Sequence, residues 1–267
     1  MALTEQQCAF FEPFGYLVLP GLVADDLPPI YEGFDEIFAS RDHDGTRRTV
    51  AGTDSSPKLC RLLDHAGVVG AASSLLGDDF NYLGGDANYY VGDTGWHSDG
   101  WHDHGLFVKA AFYLDPVGRD TGCLRVIPGS HWVGSPWLAP LRRVNDPERW
   151  LGVSGRDVPA VALESRPGDV VLFNHNLHHA AFGGGSRRRM FTLNLSRRAE
   201  APAEVKELRD FINSNARFWV PQSHSDVMRR TASPARMRHL TQVMENEDEL
   251  PELVRRAKET MAEPARG

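Results

Sequence analysis

The sequence predicts a mainly β protein, an antiparallel barrel or jelly roll flanked by helices at both ends. Three observations carry this. Between about Asn81 and Arg198 the chain breaks into short β-like runs separated by Gly, Pro and Asp: Asn88–Val91, Leu106–Leu114, Leu124–Ile127, Asp169–Phe173 and Met190–Leu195. No helix-length segment alternates with these runs, and a parallel α/β sheet needs one at each crossover. Helical signals are confined to the first sixty residues and to the polar stretch after Ala201.

The elements follow in order. Thr4 and Gln7 have the form of a capping box, opening a run with Phe10, Phe11 and Phe14 that stops at Gly15. Tyr16–Leu19 reads as a short strand closed by Pro20-Gly21. After Asp25 and Asp26, Ile30, Phe34, Ile37 and Phe38 fall on one stripe of a 3.6-residue period, which predicts a packed helix. The segment from Trp132 to Pro159 is rich in Trp, Pro and Arg and reads as an insert covering the barrel mouth. From Ala201 to Ala262 the chain is polar and helix-prone, punctuated by Pro221, Pro234 and Pro251. The expected organisation is one domain over residues 1–267, with a helical part at 1–60, a β core at 81–198 and a second helical part at 201–267.

Composition excludes several classes. The chain has 267 residues, 29 Lys and Arg against 36 Asp and Glu, and a net charge of −7, so no global field exists to hold a nucleic acid. Cys8, Cys60 and Cys123 are odd in number and far apart, which gives neither a disulfide framework nor a zinc knuckle. No apolar stretch approaches the ~18 residues of a membrane span, and Met1 to Gln7 lack the features of a signal peptide. The expectation is a cytoplasmic monomer or homodimer acting on a small molecule, away from membranes.

The histidines carry the chemistry. Of eleven, His97, His102 and His104 crowd one segment and His175, His178 and His179 another, both at strand ends. His97 and Asp99 are two apart, so in an extended strand they share a face. A third ligand from the second cluster completes a two-histidine, one-carboxylate set that leaves adjacent positions open on Fe(II). A second His-x-Asp, His224-Ser225-Asp226, lacks strand-like flanks and reads as a turn or helix cap. Gly183-Gly-Gly185 has no helix pattern after it and reads as a tight connection between strands. In the run that follows, Arg188 shares parity with Thr192, Asn194 and Ser196, whereas Arg189 shares parity with Phe191, Leu193 and Leu195. Arg188 is therefore either a solvated surface arginine or a cation on a polar barrel interior able to grip a dicarboxylate.

Taken together, these segments resemble the phytanoyl-CoA dioxygenase family of Fe(II)- and 2-oxoglutarate-dependent oxygenases. The resemblance runs from Phe14-Gly-Tyr-Leu-Val-Leu-Pro-Gly21 through Trp96-His-Ser-Asp99 and Asp120-Thr-Gly-Cys-Leu-Arg-Val-Ile-Pro-Gly-Ser-His131 to Pro167-Gly-Asp-Val-Val-Leu-Phe173. It implies a double-stranded β-helix (a cupin-like jelly roll) and a hydroxylase using Fe(II), 2-oxoglutarate and O2, with succinate and CO2 as co-products. His97, Asp99 and His179 match the metal ligands, His179 because it lies ten residues beyond Asp169; His178 is its neighbour in register. Arg188 matches the residue that pairs with the far carboxylate of 2-oxoglutarate, and Asn88 a strand position that contacts it. Trp101, His102 and His104 follow the metal motif and are expected at the substrate mouth, with Trp132, Trp137, Arg142 and Arg143 of the insert.

Two positions depart from the family pattern. A serine usual after the distal histidine is Ala181 here, with Thr192 and Ser196 as candidate replacements, and an aromatic residue usual on the strand after His-x-Asp is Ala111. Because Asp99 is kept, hydroxylation or a related desaturation or cyclisation is expected and halogenation is not. The alternatives are a cupin-like isomerase or hydrolase that uses no 2-oxoglutarate, and a non-catalytic binding barrel.

Overall fold

The computed structural model describes residues 2–39, 47–50 and 52–265. Its strands are β1 (Tyr16–Leu19), β2 (Arg47–Val50), β3 (Asn81–Tyr82), β4 (Asp86–Val91), β5 (Thr94–His97), β6 (Phe107–Tyr113), β7 (Leu124–Val126), β8 (Val161–Leu163), β9 (Val170–Asn174), β10 (His179–Ala181) and β11 (Ser186–Ser196). The larger sheet runs β1-β9-β6-β11-β4-β2, with β3 also paired to β11, and the smaller runs β5-β10-β7-β8. Every pairing is antiparallel. This is the jelly roll that the sequence predicts.

Alternation along β6 shows how the sheet separates its two faces. Ala110 and Phe112 join the core beneath the helices, whereas Ala111 and Tyr113 join a second cluster with Leu124, Val126 and Phe173 between the sheets. The stripe predicted before residue 40 forms α2, and its Ile30, Phe34, Ile37 and Phe38 pack on the outer face of the larger sheet together with Phe112, Phe191 and Leu193. Phe112 and Phe191 stack with ring centroids 4.5 Å apart. Truncating one such fully buried ring to alanine costs about 3–5 kcal/mol.

The helices are α1 (Glu5–Phe14), α2 (Leu27–Ala39), α3 (Pro57–Cys60), α4 (Ala66–Leu76), α5 (Leu138–Leu141), α6 (Pro147–Leu151), α7 (Pro202–Ser214), α8 (Asp226–Thr231), α9 (Pro234–Met244) and α10 (Leu250–Thr260). The Thr4–Gln7 capping box is present, with Thr4 Oγ1 accepting from Gln7 N and Gln7 Oε1 accepting from Thr4 N. The N-terminal helical part extends past residue 60 to Leu76, because α3, α4 and the 3-10 turn between them bury Leu59, Leu62, Val68, Ala71 and Leu76 in the same core. After Ala201, α7, α9 and α10 gather Leu208, Ile212, Val243, Leu250 and Val254 around Leu83 and Phe107 at one end of the barrel. Among the described residues no single helix is long and apolar enough to cross a membrane.

One sequence expectation is corrected. The insert does not cover the mouth: Val144, Val158 and Leu141 pack on Trp96, Ala180 and Phe182, the outward side chains of the smaller sheet, and Trp96 Nε1 donates to Gly155 O at 2.9 Å. Its apolar anchors find the back of the sheet, and Trp132, Trp137, Arg142 and Arg143 line neither of the two cavities beside the histidines. Helix α9 turns one side of its polar sequence inward. Arg236 is buried and ion-paired to Asp64, and His239 stacks on Phe80 with centroids 3.9 Å apart.

Candidate active site

The end of β5 and the start of β10 bring the site together. His97 and His179 are direct cross-strand partners, with ring centroids 4.3 Å apart. In each, the Nδ1–H donates to a carbonyl two residues earlier, Gly95 O and Leu177 O, both at 2.8 Å. A carbonyl only accepts, so these bonds place the proton on Nδ1 and leave both Nε2 lone pairs facing inward. Asp99 is fixed by its backbone, since His175 O accepts from Asp99 N at 3.0 Å and Gly100 N at 3.3 Å. Its Oδ1 lies 3.9 Å from His97 Nε2 and its Oδ2 3.7 Å from His179 Nε2. One ligand atom from each residue lies within 4.8 Å of the others, a spacing able to close around one metal ion. Two imidazoles and one carboxylate, with the distal imidazole nitrogens held by carbonyls, suit a divalent transition metal.

Lys109 enters this cluster unannounced by the sequence. Its Nζ lies 2.8 Å from Asp99 Oδ2, and both side chains are largely buried. Burial by itself would raise the Asp99 carboxyl, but Lys109, then His179, hold it well below the usual carboxylate range. Burial pushes the His179 imidazole down to about 4, so it stands neutral and ready to ligate at pH 7.

His178 points elsewhere in the network: its backbone N–H donates to Ser130 Oγ at 2.8 Å, and the residue takes no part in the ligand cluster. The Pro128-Gly-Ser-His131 motif thereby has a structural role. Ser130 clamps the strand that carries His179, while His131 Nε2 bonds Glu12 O at 2.9 Å and packs against Gly15 at the end of α1.

A cavity of about 590 Å3 opens from the three residues into the space between the sheets. Arg188 and Asn88 line it, and both are buried. Arg188 Nη1 donates to Gly122 O, and Gly122 has φ +92° with no room for a side chain because the guanidinium occupies that space. The guanidinium also lies over the Tyr113 ring, 5.9 Å from its centroid. Asn88 Oδ1 is buried without a hydrogen-bond partner among the described residues, which suits a polar guest in the cavity. Ala111 and Ala181 line the same space and leave it wide. Of the candidate hydroxyls, Thr192 faces this cavity and accepts from Asp86 N at 3.1 Å, whereas Ser196 lies beside Asn81 Nδ2 at the far end of β11 and lines neither cavity.

A second cavity, of about 360 Å3, adjoins the first through Asp86, Asp99, Lys109 and Arg217. Trp101 and His102 line it. Arg142 lies over the Trp101 ring at 4.7 Å, and His102 stacks on Phe107 at 3.6 Å. His104 does not reach it. Glu207 of α7 captures the backbone N–H groups of Asp103, His104 and Gly105, and the His104 side chain is left exposed outside both cavities. The second His-x-Asp takes a structural role: Ser225 caps α8, Asp226 is exposed, and His224 is fully buried against Tyr82.

The profile described as phytanoyl-CoA dioxygenase (PhyH) matches residues 11–190. The chain belongs to the phytanoyl-CoA dioxygenase family. Iron and 2-oxoglutarate are the cofactors that go with this family, and the donor set and the arginine-floored cavity fit both. Among solved structures, HygX from Streptomyces hygroscopicus, with nickel and 2-oxoglutarate bound, superposes with a TM-score of 0.60 at 21% identity, covering 74% of this chain and 88% of its own. EctD from S. alaskensis gives a TM-score of 0.58 at 27% identity, covering 75% and 80%. The carbocyclase SnoK of nogalamycin biosynthesis gives 0.58 at 21% identity, covering 73% and 84%. A comparison with curated proteins returned no match.

Several contributing residues escaped the sequence reading. Lys109 was visible as a lone cation inside the apolar run Leu106–Leu114, a signal that a buried strand residue needs a partner. Glu207 and Arg217 carried no local signal.

Proposed function

We propose that this protein is an Fe(II)- and 2-oxoglutarate-dependent dioxygenase that hydroxylates a carbon of a small, polar molecule, releasing succinate and CO2. The observation that carries the reading is that the His97–Asp99–His179 cluster opens into the same cavity whose floor holds Arg188. Bound iron and 2-oxoglutarate supply the oxidant that removes a hydrogen from the substrate and returns a hydroxyl.

The chain's own residues do the rest. His97 and His179 present their Nε2 atoms to the site, their rings fixed by Gly95 O and Leu177 O. Asp99 stays ionised beside Lys109 and supplies the anionic ligand. Arg188 pairs with the distal carboxylate of 2-oxoglutarate, and Asn88 offers its unpartnered Oδ1 or amide to the same guest. The adjoining cavity, reached past Asp99, receives the substrate, with Trp101 and His102 in its wall. Because Asp99 holds an iron position that a halide would need, the outcome is oxygen transfer.

The test is iron-dependent consumption of 2-oxoglutarate with equal succinate release by the purified protein. Absence of both would favour a cupin-like isomerase or hydrolase. With a substrate in hand, labelled O2 and excess chloride separate the outcomes: a labelled hydroxyl supports the reading, while a chlorinated, cyclised or epimerised product contradicts it.

A further inference from the structure

The C-terminal part lies beyond the residues matched by the family profile, yet it builds one wall of the 360 Å3 cavity with Glu207, Phe211, Arg217, Phe218 and Ser223. Charge decides what this wall selects. Six charged side chains face the cavity: Asp86, Asp99, Lys109, Glu207, Asp210 and Arg217. Asp99 and Lys109 neutralise each other at 2.8 Å, and Glu207 is occupied by three backbone N–H groups. Asp210 pairs with Lys206 at 2.6 Å, and Asp86 is engaged as well. Arg217 differs. It lies over the Phe218 ring at 4.5 Å and forms no ion pair among the described residues. Polar atoms without partners among the described residues belong to the lining of the same space: both ring nitrogens of His175, which is 1% exposed, and Ser223 Oγ.

We infer that Arg217 is a specificity-determining residue that holds a carboxylate of the substrate, whose body lies against Phe211, Phe218 and Trp101 while Ser223 and His175 complete its hydrogen bonds. A planar guanidinium matches a carboxylate with two parallel N–H bonds. A single uncommitted cation among four carboxylates favours a monoanion over a phosphate dianion. The inference rests on the dioxygenase reading in calling the bound molecule a substrate.

The experiment uses the full-length protein and two probes of one shape, 3-phenylpropionate and 3-phenylpropanamide, with binding followed by saturation-transfer NMR. The acid is expected to bind about tenfold more tightly than the amide, the scale of one hydrogen bond to a charged group. Arg217→Ala should remove the contrast, Arg217→Lys should keep part of it, and Arg238→Ala, an exposed cation on α9, should keep all of it. Thermal melts of each variant confirm folding. Added Mn(II) should broaden the acid's resonances in the wild type, placing it near the His97–Asp99–His179 cluster. Equal binding of acid and amide by the wild type, a contrast that survives in Arg217→Ala, or no broadening would overturn the inference. The acid–amide contrast needs no cosubstrate. Failure of the metal-loaded wild type to bind 2-oxoglutarate in calorimetry therefore sinks the dioxygenase reading separately, and the contrast still decides the role of Arg217.

Discussion

Lys109 Nζ sits 2.8 Å from Asp99 Oδ2, so the carboxylate of the candidate metal cluster carries its own internal counter-ion. Taking away the lysine strands a largely buried carboxylate, and breaking such a pair costs about 3 kcal/mol. Lys109→Met should therefore lower the melting temperature of the metal-free protein by about 8 °C. A divalent ion replaces the missing charge, so the rise in melting temperature on adding Mn(II) should be larger in the variant than in the wild type. An equal or smaller rise would contradict this role for Lys109.

His179 and His178 are adjacent in sequence and unlike in position. His179→Ala should weaken Mn(II) or Fe(II) binding about 100-fold, since it removes one of three protein ligands. His178→Ala should change binding by less than about threefold, its residue lying outside the ligand cluster. Metal titration monitored by calorimetry or electron paramagnetic resonance compares the two, and the reverse order would place the ligand on the wrong residue.

Arg188 and Arg189 provide a second neighbouring pair. Arg188 is buried at the cavity floor, whereas Arg189 pairs outside it with Asp115 at 2.7 Å. Truncating one partner of a desolvated ion pair costs about 2–5 kcal/mol, so Arg188→Ala should raise the Kd for 2-oxoglutarate well over tenfold. Arg189→Ala should leave that Kd within about twofold, because it breaks only a partly exposed ion pair remote from the cavity. Similar effects at both positions would count against the assignment.

Acid should destabilise the metal-free protein well above the ordinary carboxylate range. Burial holds His102, His179 and His224 down to about 4, whereas in the unfolded chain each titrates near 6.5. Between those values the unfolded chain binds more protons, so stability is full above pH 6.5 and falls as pH drops toward 4. Asp54 opposes them, because burial raises it to about 6 and the folded chain then takes up its proton first. These three histidines against one carboxyl leave about two protons, and His175, which burial holds lower still, brings that to about three. His131, His178 and His239 shift the same way, so at least roughly 4 kcal/mol is lost per pH unit near pH 5. Urea unfolding at pH 7, 6 and 5 measures the slope, and a flat or rising stability toward pH 5 would refute it.

The parts of the fold legible in the sequence are those with a clean period. The α2 stripe buries one helix face and the alternation in β11 separates an apolar from a polar face, so residue spacing alone reveals them, whereas β6 is buried on both faces and reads only as an apolar run. Helix α4 is different: its AGVVGAASSLL packs through small residues, which leaves no amphipathic contrast to detect. Strand β10 has three residues, too few for periodicity, and His179 was placed only by its distance from Asp169 in relatives. The C-terminal wall was illegible for another reason. Arg217 reaches the cavity through the packing of α7 and α10 on the barrel end, a long-range arrangement that no local pattern announces.

The three glycines between β10 and β11 have a final consequence. A side chain at Gly183 would collide with the carbonyl of Asp120, and one at Gly184 with that of Gly92, while Asp93 Oδ1 grips Gly183 N at 2.6 Å. The connection is therefore a rigid spacer, and it joins the strand carrying His179 to the strand carrying Arg188. Arg188 lies nine positions after His179, and this short span works as a ruler. On the proposed reading, it sets how far a guest can stretch between the histidines and the guanidinium, and so the length of the diacid accepted. Lengthening that ruler by a residue should shift the preference toward a longer diacid, even with each side chain of the site unchanged.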